Sequence, residues 1–267
     1  MDPQPVAVTI TDDVAHVQLN RPDKLNAINL EVIDGLIDAA RMLRSRRDIR
    51  AITLGGRGRS FSAGLDFAST FTDKKRVARY FLPGLRRANR FQRVNAIWRE
   101  LPIPVIAVVH GHCFGAGLQL ALGADFRLTT PDAQWSIMEA KWGLVPDMSG
   151  TVPLAELVPS DVAMSLTMSG RIISGQEAAG LGLATHAHDD PQTAAGELVG
   201  ELSARSPDSV AATKRLLYGT RRGTIRSALR LERALQAKMF RSPNTRIARK
   251  AGESKTEPQF GHRTFGS

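Results

Sequence analysis

The stretch that most constrains this chain runs from His110 to Leu120, H-G-H-C-F-G-A-G-L-Q-L. An apolar run, P-V-I-A-V-V at 104–109, precedes it and predicts a buried strand. The small-residue pattern from Gly115 to Gly123 then predicts the start of a buried helix. A strand that passes through glycines into a helix presents unpaired backbone N–H groups at the positive end of the helix dipole. Such a place holds an anion, either a phosphate or an oxyanion that forms only during a reaction.

The flanking sequence fits an α/β fold. Residues 6–10 and 14–19, split by Thr11-Asp12-Asp13, predict a hairpin, and 20–23 a turn. From Asn29 to Arg46 the apolar positions Leu30, Ile33, Leu36, Ile37, Ala40 and Leu43 recur at helical spacing. Residues 51–54 predict a short strand, ended by the loop Gly55-Gly56-Arg57-Gly58. Residues 73–100 predict a long basic helix or a helix pair broken at Pro83-Gly84. Two more strands are expected at 125–129 and 134–137. Alternation of strand with helix implies a mostly parallel sheet flanked by helices. After about residue 195 the strand signals stop, and helical patterns at 193–204, 207–218 and 224–240 lead into a polar, basic tail. The expected organisation is a core over 1–195 and a helical C-terminal region over 196–267.

Composition narrows the function classes. A chain of 267 residues with 42% hydrophobic content can bury a core of one domain plus an appendage. No window reaches the roughly eighteen apolar residues of a membrane span, and M-D-P-Q-P at the start lacks the basic and apolar regions of a secretory signal. The single cysteine, Cys113, excludes a disulfide framework and a cysteine-rich zinc site, so a reducing, cytoplasmic setting is expected. Net charge is +10, with 14 Lys/Arg against 3 Asp/Glu in 205–255 and 9 against 2 in 73–100. This basicity fits either an anionic partner or solvated helix faces. Aromatic residues are scarce in both stretches, so stacking on nucleic-acid bases has little support, and neither a nucleic-acid nor a membrane partner is expected.

Four local patterns carry candidate chemistry. They are Lys24-Leu25-Asn26-Ala27 after the hairpin, R-S-F-S-A-G-L-D at 59–66, the opening motif, and M-E-A-K-W-G-L-V-P-D-M-S-G-T at 138–151. The last places two carboxylates, Glu139 and Asp147, either side of an apolar turn. Each also has a plain structural reading. Gly64 and Gly115 can serve tight turns, Asp147 can cap a helix starting near Ser149, and Glu139 can pair with Lys141 on a rim. His110 and His112 fit local packing, His186 and His188 lack partners at metal spacing, and Cys113 fits a small buried thiol. No metal site is expected.

In this order the motifs N-R-P-D-K-L-N-A at 20–27, F-S-A-G-L-D at 61–66, H-G-H-C-F-G-A-G-L-Q-L at 110–120 and E-A-K-W-G-L-V-P-D at 139–147 resemble the crotonase superfamily, the enoyl-CoA hydratase/isomerase family. The resemblance runs from about Val6 to Phe260. It implies a spiral of repeated strand–strand–helix turns, which the alternation alone does not reveal, with a helical C-terminal region that supports trimers, often stacked as hexamers. It also implies a coenzyme A thioester as substrate, with no further cofactor, and an enolate-like oxygen held by two backbone N–H groups. By motif position the donors are Leu65 and Ala116, where the commoner residue at 116 is glycine. An N–H needs no side chain, so the hole survives if Ala116 keeps a negative φ. Loss of one such donor costs roughly 3–4 kcal/mol in hydrolases.

The resemblance assigns further residues. Ala63, Gly64, Asp66 and Phe67 would cradle the adenine and pantetheine end, with Ala27, Gly115 and Gly143 lining the site, and Lys24 would meet the CoA phosphates. Hydratases of the family use two glutamates on one water. Glu139 matches the second, but Gln119 stands where the first belongs and cannot take or give a proton. One carboxylate suffices to move a proton between C2 and C4 of an acyl chain, as in the family's 3,2-enoyl-CoA isomerases. Dienoyl-CoA isomerases carry an aspartate at the position of Asp147, and in a dehalogenase branch that aspartate is the nucleophile. Glu139 is therefore expected as principal base, Asp147 as second acid/base or substrate orienter, and Gln119 as a neutral hydrogen-bonder. Hydration remains the alternative reaction. A non-catalytic acyl-CoA or nucleic-acid binding protein is the alternative of another class. A Clp-like serine peptidase needs a nucleophilic serine where Leu118 and Gln119 stand.

Overall fold

The structure, a computed structural model, describes residues 4–83, 88–221 and 223–266. Nine strands are described: β1 Val6–Thr11, β2 Val14–Leu19, β3 Ala51–Gly56, β4 Val105–Val109, β5 His112–Phe114, β6 Phe126–Thr129, β7 Gln134–Ser136, β8 Ile173–Ser174 and β9 His186–Ala187. They form a larger sheet of order β1-β2-β3-β4-β6-β9 and a smaller one of order β5-β7-β8. Only β1–β2 and β7–β8 pair antiparallel; the others are parallel. The mostly parallel sheet expected from the alternation is present.

The helices are α1 Leu30–Ser45, α2 Phe67–Thr70, α3 Lys74–Phe81, α4 Arg90–Arg99, α5 Ala116–Leu122, α6 Thr151–Leu157, α7 Ser160–Ser169, α8 Gly175–Gly180, α9 Pro191–Ser203, α10 Pro207–Arg221, α11 Ile225–Met239 and α12 Pro243–Ser254. All six apolar positions singled out for α1 are buried, and Asn29 caps it by accepting the Val32 N–H at 3.0 Å. The buried α1 face packs with β1, β2 and α4 into one continuous core around Trp98, Trp135, Phe61 and Leu36. Residues 73–100 are indeed two helices, α3 and α4, although Gly84 of the expected break lies outside the described residues.

Three expectations need correction. Gly55 and Gly56 belong to β3, paired with Gln18 and Leu19, rather than to the loop after it. Glycine is required at 56 because a side-chain carbon there would sit 2.4 Å from Ser60 O and 2.6 Å from Asn26 Nδ2. The β4 strand does not feed straight into a helix. The chain bends at Gly111 (φ +59°) and forms β5, which passes into the second sheet before α5 begins. Finally, the polar tail holds α12, which starts with Ser242 as cap and Pro243 at its first position. Helix α9, which runs through residues 195 and 196, packs on β3, β4 and β6.

Buried polar groups dock the C-terminal helices on the core. Lys214 of α10 pairs with Asp125 Oδ2 at 2.7 Å and donates to the carbonyls of Trp98 and Ile103, each at 2.9 Å. Farther on, the fully buried Asp208 accepts from Ser242 Oγ, Asn244 Nδ2, Thr264 Oγ1 and the N–H groups of Thr264 and Phe265. Burial alone would raise the Asp208 carboxyl, but these donors together hold it below the ordinary value. Replacing Asp208 with alanine strands several donors in the interior, at a cost of about 1–3 kcal/mol for each group left unpaired. Urea unfolding should show a lower midpoint than wild type. Because the native carboxyl is depressed, the wild-type advantage should shrink as pH falls through that depressed value.

Candidate active site

Two backbone segments meet beneath the site. The loop after β3 is stitched to the 110–114 segment: Phe61 and Ser62 donate to the carbonyls of His110 and His112 at 2.8 Å, and Phe114 donates back to Ser62 O at 3.0 Å. On its other edge Ala63 donates to Leu25 O at 2.9 Å, Ile28 to Gly64 O at 2.7 Å and Asp66 to Ile28 O at 2.8 Å. The Ser62 hydroxyl donates to Asn26 O and accepts the Gly64 N–H. Gly64 has φ +98°, and a methyl group on it would lie 3.0 Å from Phe114 O and 3.9 Å from Ala116 N. Gly117 lets α5 press onto the same loop, since a methyl there would reach Ser62 Cβ at 2.5 Å. The peptide leading to Leu65 is thus held against the start of α5. Among the described residues no backbone acceptor takes the Leu65 or the Ala116 N–H. Ala116 is not among the residues with positive φ, so the alanine there causes no strain.

The base candidate stands beside the start of α5. Glu139 lies on a 3-10 helix, Met138–Trp142, that follows β7. Its carboxylate is beside Gly115, the residue that caps α5: a methyl on Gly115 would lie 3.5 Å from Oε1 and 3.9 Å from Oε2. From the buried α5, Gln119 donates through Nε2 to Glu139 Oε1 at 2.6 Å. The Gln119 Oε1 accepts the N–H groups of Met148 at 3.0 Å and Gly150 at 3.1 Å. A backbone N–H can only donate, so this pair fixes which end of the amide faces Glu139. Glu139 Oε1 must then accept, and any proton on the carboxyl resides on Oε2. That Oε2 is buried and has no partner among the described residues.

The same surroundings tune the acid. Burial lifts the Glu139 carboxyl above its ordinary value; its own backbone N–H and the Gln119 amide pull against that rise, and the Asp147 charge adds to it. Desolvation also raises Asp147, although that residue keeps an exposed side. The structural readings of both carboxylates fall away. The helix after Asp147 begins at Thr151 with Gly150 at its cap, and Glu139 bonds Gln119.

Other residues take distinct places. Asp66 accepts the Ser69 N–H to cap α2 and pairs with Arg21 at 2.9 Å, so both its oxygens are engaged by protein. Arg21 also donates to Ala27 O at 2.5 Å, which ties the 20–27 turn to the loop. Lys24 is exposed at the end of the 3-10 helix Pro22–Lys24. Gly143 adopts a left-handed conformation at the end of the Glu139 helix. Phe67 packs on Trp142, with ring centroids 5.2 Å apart, a contact that sequence reasoning missed because Trp142 reads there as one apolar residue in a turn. His110 bonds Gly58 O and His112 bonds Ser60 Oγ, as local packing requires. Cys113 is a buried free thiol pushed up by burial. Among the described residues no cluster of His, Cys, Asp and Glu could hold a metal, and no helix is long and apolar enough to cross a membrane. The carboxylates do not line the large cavity, about 970 Å³, that lies between the core at Pro104, Leu122 and Phe126 and the helices α10 to α12.

The family model for enoyl-CoA hydratase/isomerase proteins matches residues 9–263. A Bacillus subtilis (strain 168) protein described as a probable enoyl-CoA hydratase is 29% identical over 258 residues, 96% of this chain and 98% of its own length. The human mitochondrial Delta(3,5)-Delta(2,4)-dienoyl-CoA isomerase is 32% identical over 217 residues, 77% of this chain and 66% of that protein. Among solved structures, an enoyl-CoA hydratase from Polaromonas sp. JS666 superposes with a TM-score of 0.84 at 27% identity, over 96% of this chain and 99% of that one.

Proposed function

The chain belongs to the enoyl-CoA hydratase/isomerase family, and on that premise we propose that it shifts a double bond in an unsaturated acyl-CoA thioester, with Glu139 as the base. The thioester carbonyl accepts the Leu65 and Ala116 N–H groups, Lys24 meets the CoA phosphates, and the acyl chain passes Glu139. Oε2 removes a proton from C2 and the electron pair moves onto the carbonyl oxygen, giving an enolate conjugated with the double bond. Return of the proton at C4 moves the double bond to C2–C3. One proton leaves and one arrives, so the step balances on acid–base chemistry alone. Asp147 serves as the second acid/base or orients the chain. The exposed apolar residues Leu217, Ile225 and Phe240 support assembly through the C-terminal helices, as a trimer or a pair of trimers. A cytoplasmic enzyme fits the lone buried thiol.

The observation that carries the choice of isomerisation is the orientation of Gln119. Its amide is fixed between two backbone donors and Glu139, and it supplies no proton to a water. Hydration stays as the second reading, because Asp147 is a further carboxyl with a raised value near Glu139. Assay of crotonyl-CoA, a trans-3-enoyl-CoA and a 3,5-dienoyl-CoA separates the two. Turnover should be fastest on the 3-enoyl thioester. Fast hydration of crotonyl-CoA that disappears in Glu139→Gln overturns the preference.

The Gln119 cradle yields a further expectation. The Met148 and Gly150 N–H groups would hold a carboxylate oxygen at the same place, and the other oxygen would then confront Glu139 Oε1. Like charges so close share a proton. In Gln119→Glu, crotonyl-CoA hydration should rise by about a hundredfold, the low end of what a positioned acid/base contributes. Its acid limb should move to higher pH than in the parent. Steady-state assays across pH check both.

A further inference from the structure

We propose that the acyl group handled by this site ends in a flat aromatic ring, and that Trp142, backed by Phe67, is the surface that selects it. The proposal rests on the reading of Glu139 as base and names the substrate class of that same site. Its geometric root is the 3-10 helix Met138–Trp142. In a 3-10 helix there are about three residues per turn, so side chains at i and i+3 eclipse. Trp142 therefore leaves the helix on the same side as Glu139, about 6 Å farther along the axis. A thioester whose carbonyl is held at Leu65 and Ala116, with its reacting carbon at Glu139, carries its next few atoms toward the indole.

The rings there form a connected wall. Trp142 and Phe67 have centroids 5.2 Å apart at 40°, and Phe67 stacks on Phe71 at 6.0 Å and 14°. Phe67 is two residues beyond the oxyanion donor Leu65, so the wall joins the oxyanion loop to the helix that carries the base. Its outer faces are open: Trp142 is 64% exposed and Phe71 44%. An alkyl chain would bury apolar area against such a wall. A ring gains in addition the orientation-dependent attraction of offset or tilted stacking. The CoA adenine is also flat, but it hangs beyond the pantetheine arm and pyrophosphate. The family resemblance assigns Phe67 to the adenine and pantetheine end, but its contact with Trp142, one helical turn from the base, points instead to the acyl end of the thioester.

The test measures binding of saturated, unreactive thioesters, so it does not depend on which reaction the enzyme performs. 3-Phenylpropanoyl-CoA, hexanoyl-CoA and free CoA are titrated into wild type, Trp142→Ala and Trp142→Phe, with thermal unfolding of each variant as a check on folding. Trp142→Ala should weaken 3-phenylpropanoyl-CoA by about tenfold and hexanoyl-CoA by less than about threefold. Free CoA should be unaffected, and Trp142→Phe should restore most of the lost affinity. Equal losses for both thioesters overturn the proposal by making the wall a general apolar surface. A matching loss for free CoA overturns it in favour of adenine, and no loss at all overturns it outright. None of these results touches Glu139. The reading beneath the proposal fails separately, if Glu139→Gln keeps full turnover or if wild type binds no acyl-CoA.

Discussion

Glu139→Gln should lower kcat on the best acyl-CoA substrate by about 10²- to 10⁴-fold, the usual contribution of a positioned acid or base, while acyl-CoA affinity changes little. The substitution keeps the shape of the side chain and leaves both oxyanion donors in place. It removes the one oxygen, Oε2, that is buried beside Gly115 and unpartnered among the described residues. Wild type offers a second reading of the same group. Because burial lifts the Glu139 carboxyl above its ordinary 4.5, and the base must be deprotonated to act, kcat/KM should fall as pH drops through a value higher than 4.5. In Glu139→Gln that acid limb should vanish, and whatever activity remains should follow Asp147. Stopped or initial-rate assays from pH 4 to 9, with thioester binding measured in parallel, provide both readouts. Turnover equal to wild type would remove Glu139 from the mechanism.

Much of this arrangement was legible in the residues, and the parts that were not share a physical cause. The hairpin β1–β2, α1 with its Asn29 cap, and the buried α5 follow from local periodicity and capping, which neighbouring residues decide. Strand β5 has three residues and exists because Gly111 turns the chain into the second sheet, which no local period records. Helix α12 was hidden by its polar composition; it is held by Asn244 bonding Asp208 and the His262 carbonyl. The candidate site divides the same way. Glu139, Gln119, Leu65 and Ala116 came from motif positions. The direction of the Gln119 amide depends on two N–H groups about thirty residues away along the chain, and only the folded backbone places them. Asp66 reads in the sequence as part of a binding loop, yet its oxygens are engaged by Arg21 and Ser69. Trp142 needed both the pitch of its 3-10 helix and the position of Phe67 to become part of a wall.

Gly64→Ala should reduce kcat by about 10²- to 10³-fold, comparable to deleting one oxyanion donor outright. The glycine sits at φ +98°, which side-chain-bearing residues rarely adopt, and its missing methyl would press on Phe114 O at 3.0 Å. Phe114 cannot retreat freely, since its N–H is bound to Ser62 O and the next N–H to Ser136 O. The strain is relieved by rotating the peptide that carries the Leu65 N–H or by pushing the loop off the start of α5. Either movement breaks the alignment of two donors that must meet one oxygen, and the loss falls on the transition state, where charge on that oxygen is greatest. The effect should therefore appear chiefly in kcat, with KM changed by less than about threefold. Ala116→Gly supplies the control: it keeps the N–H and relieves no strain, so its kcat should stay within about twofold of wild type. Thermal unfolding of each variant separates a misaligned hole from a general loss of fold. A folded Gly64→Ala enzyme with wild-type kcat would show that the Leu65 N–H does not hold the developing oxyanion.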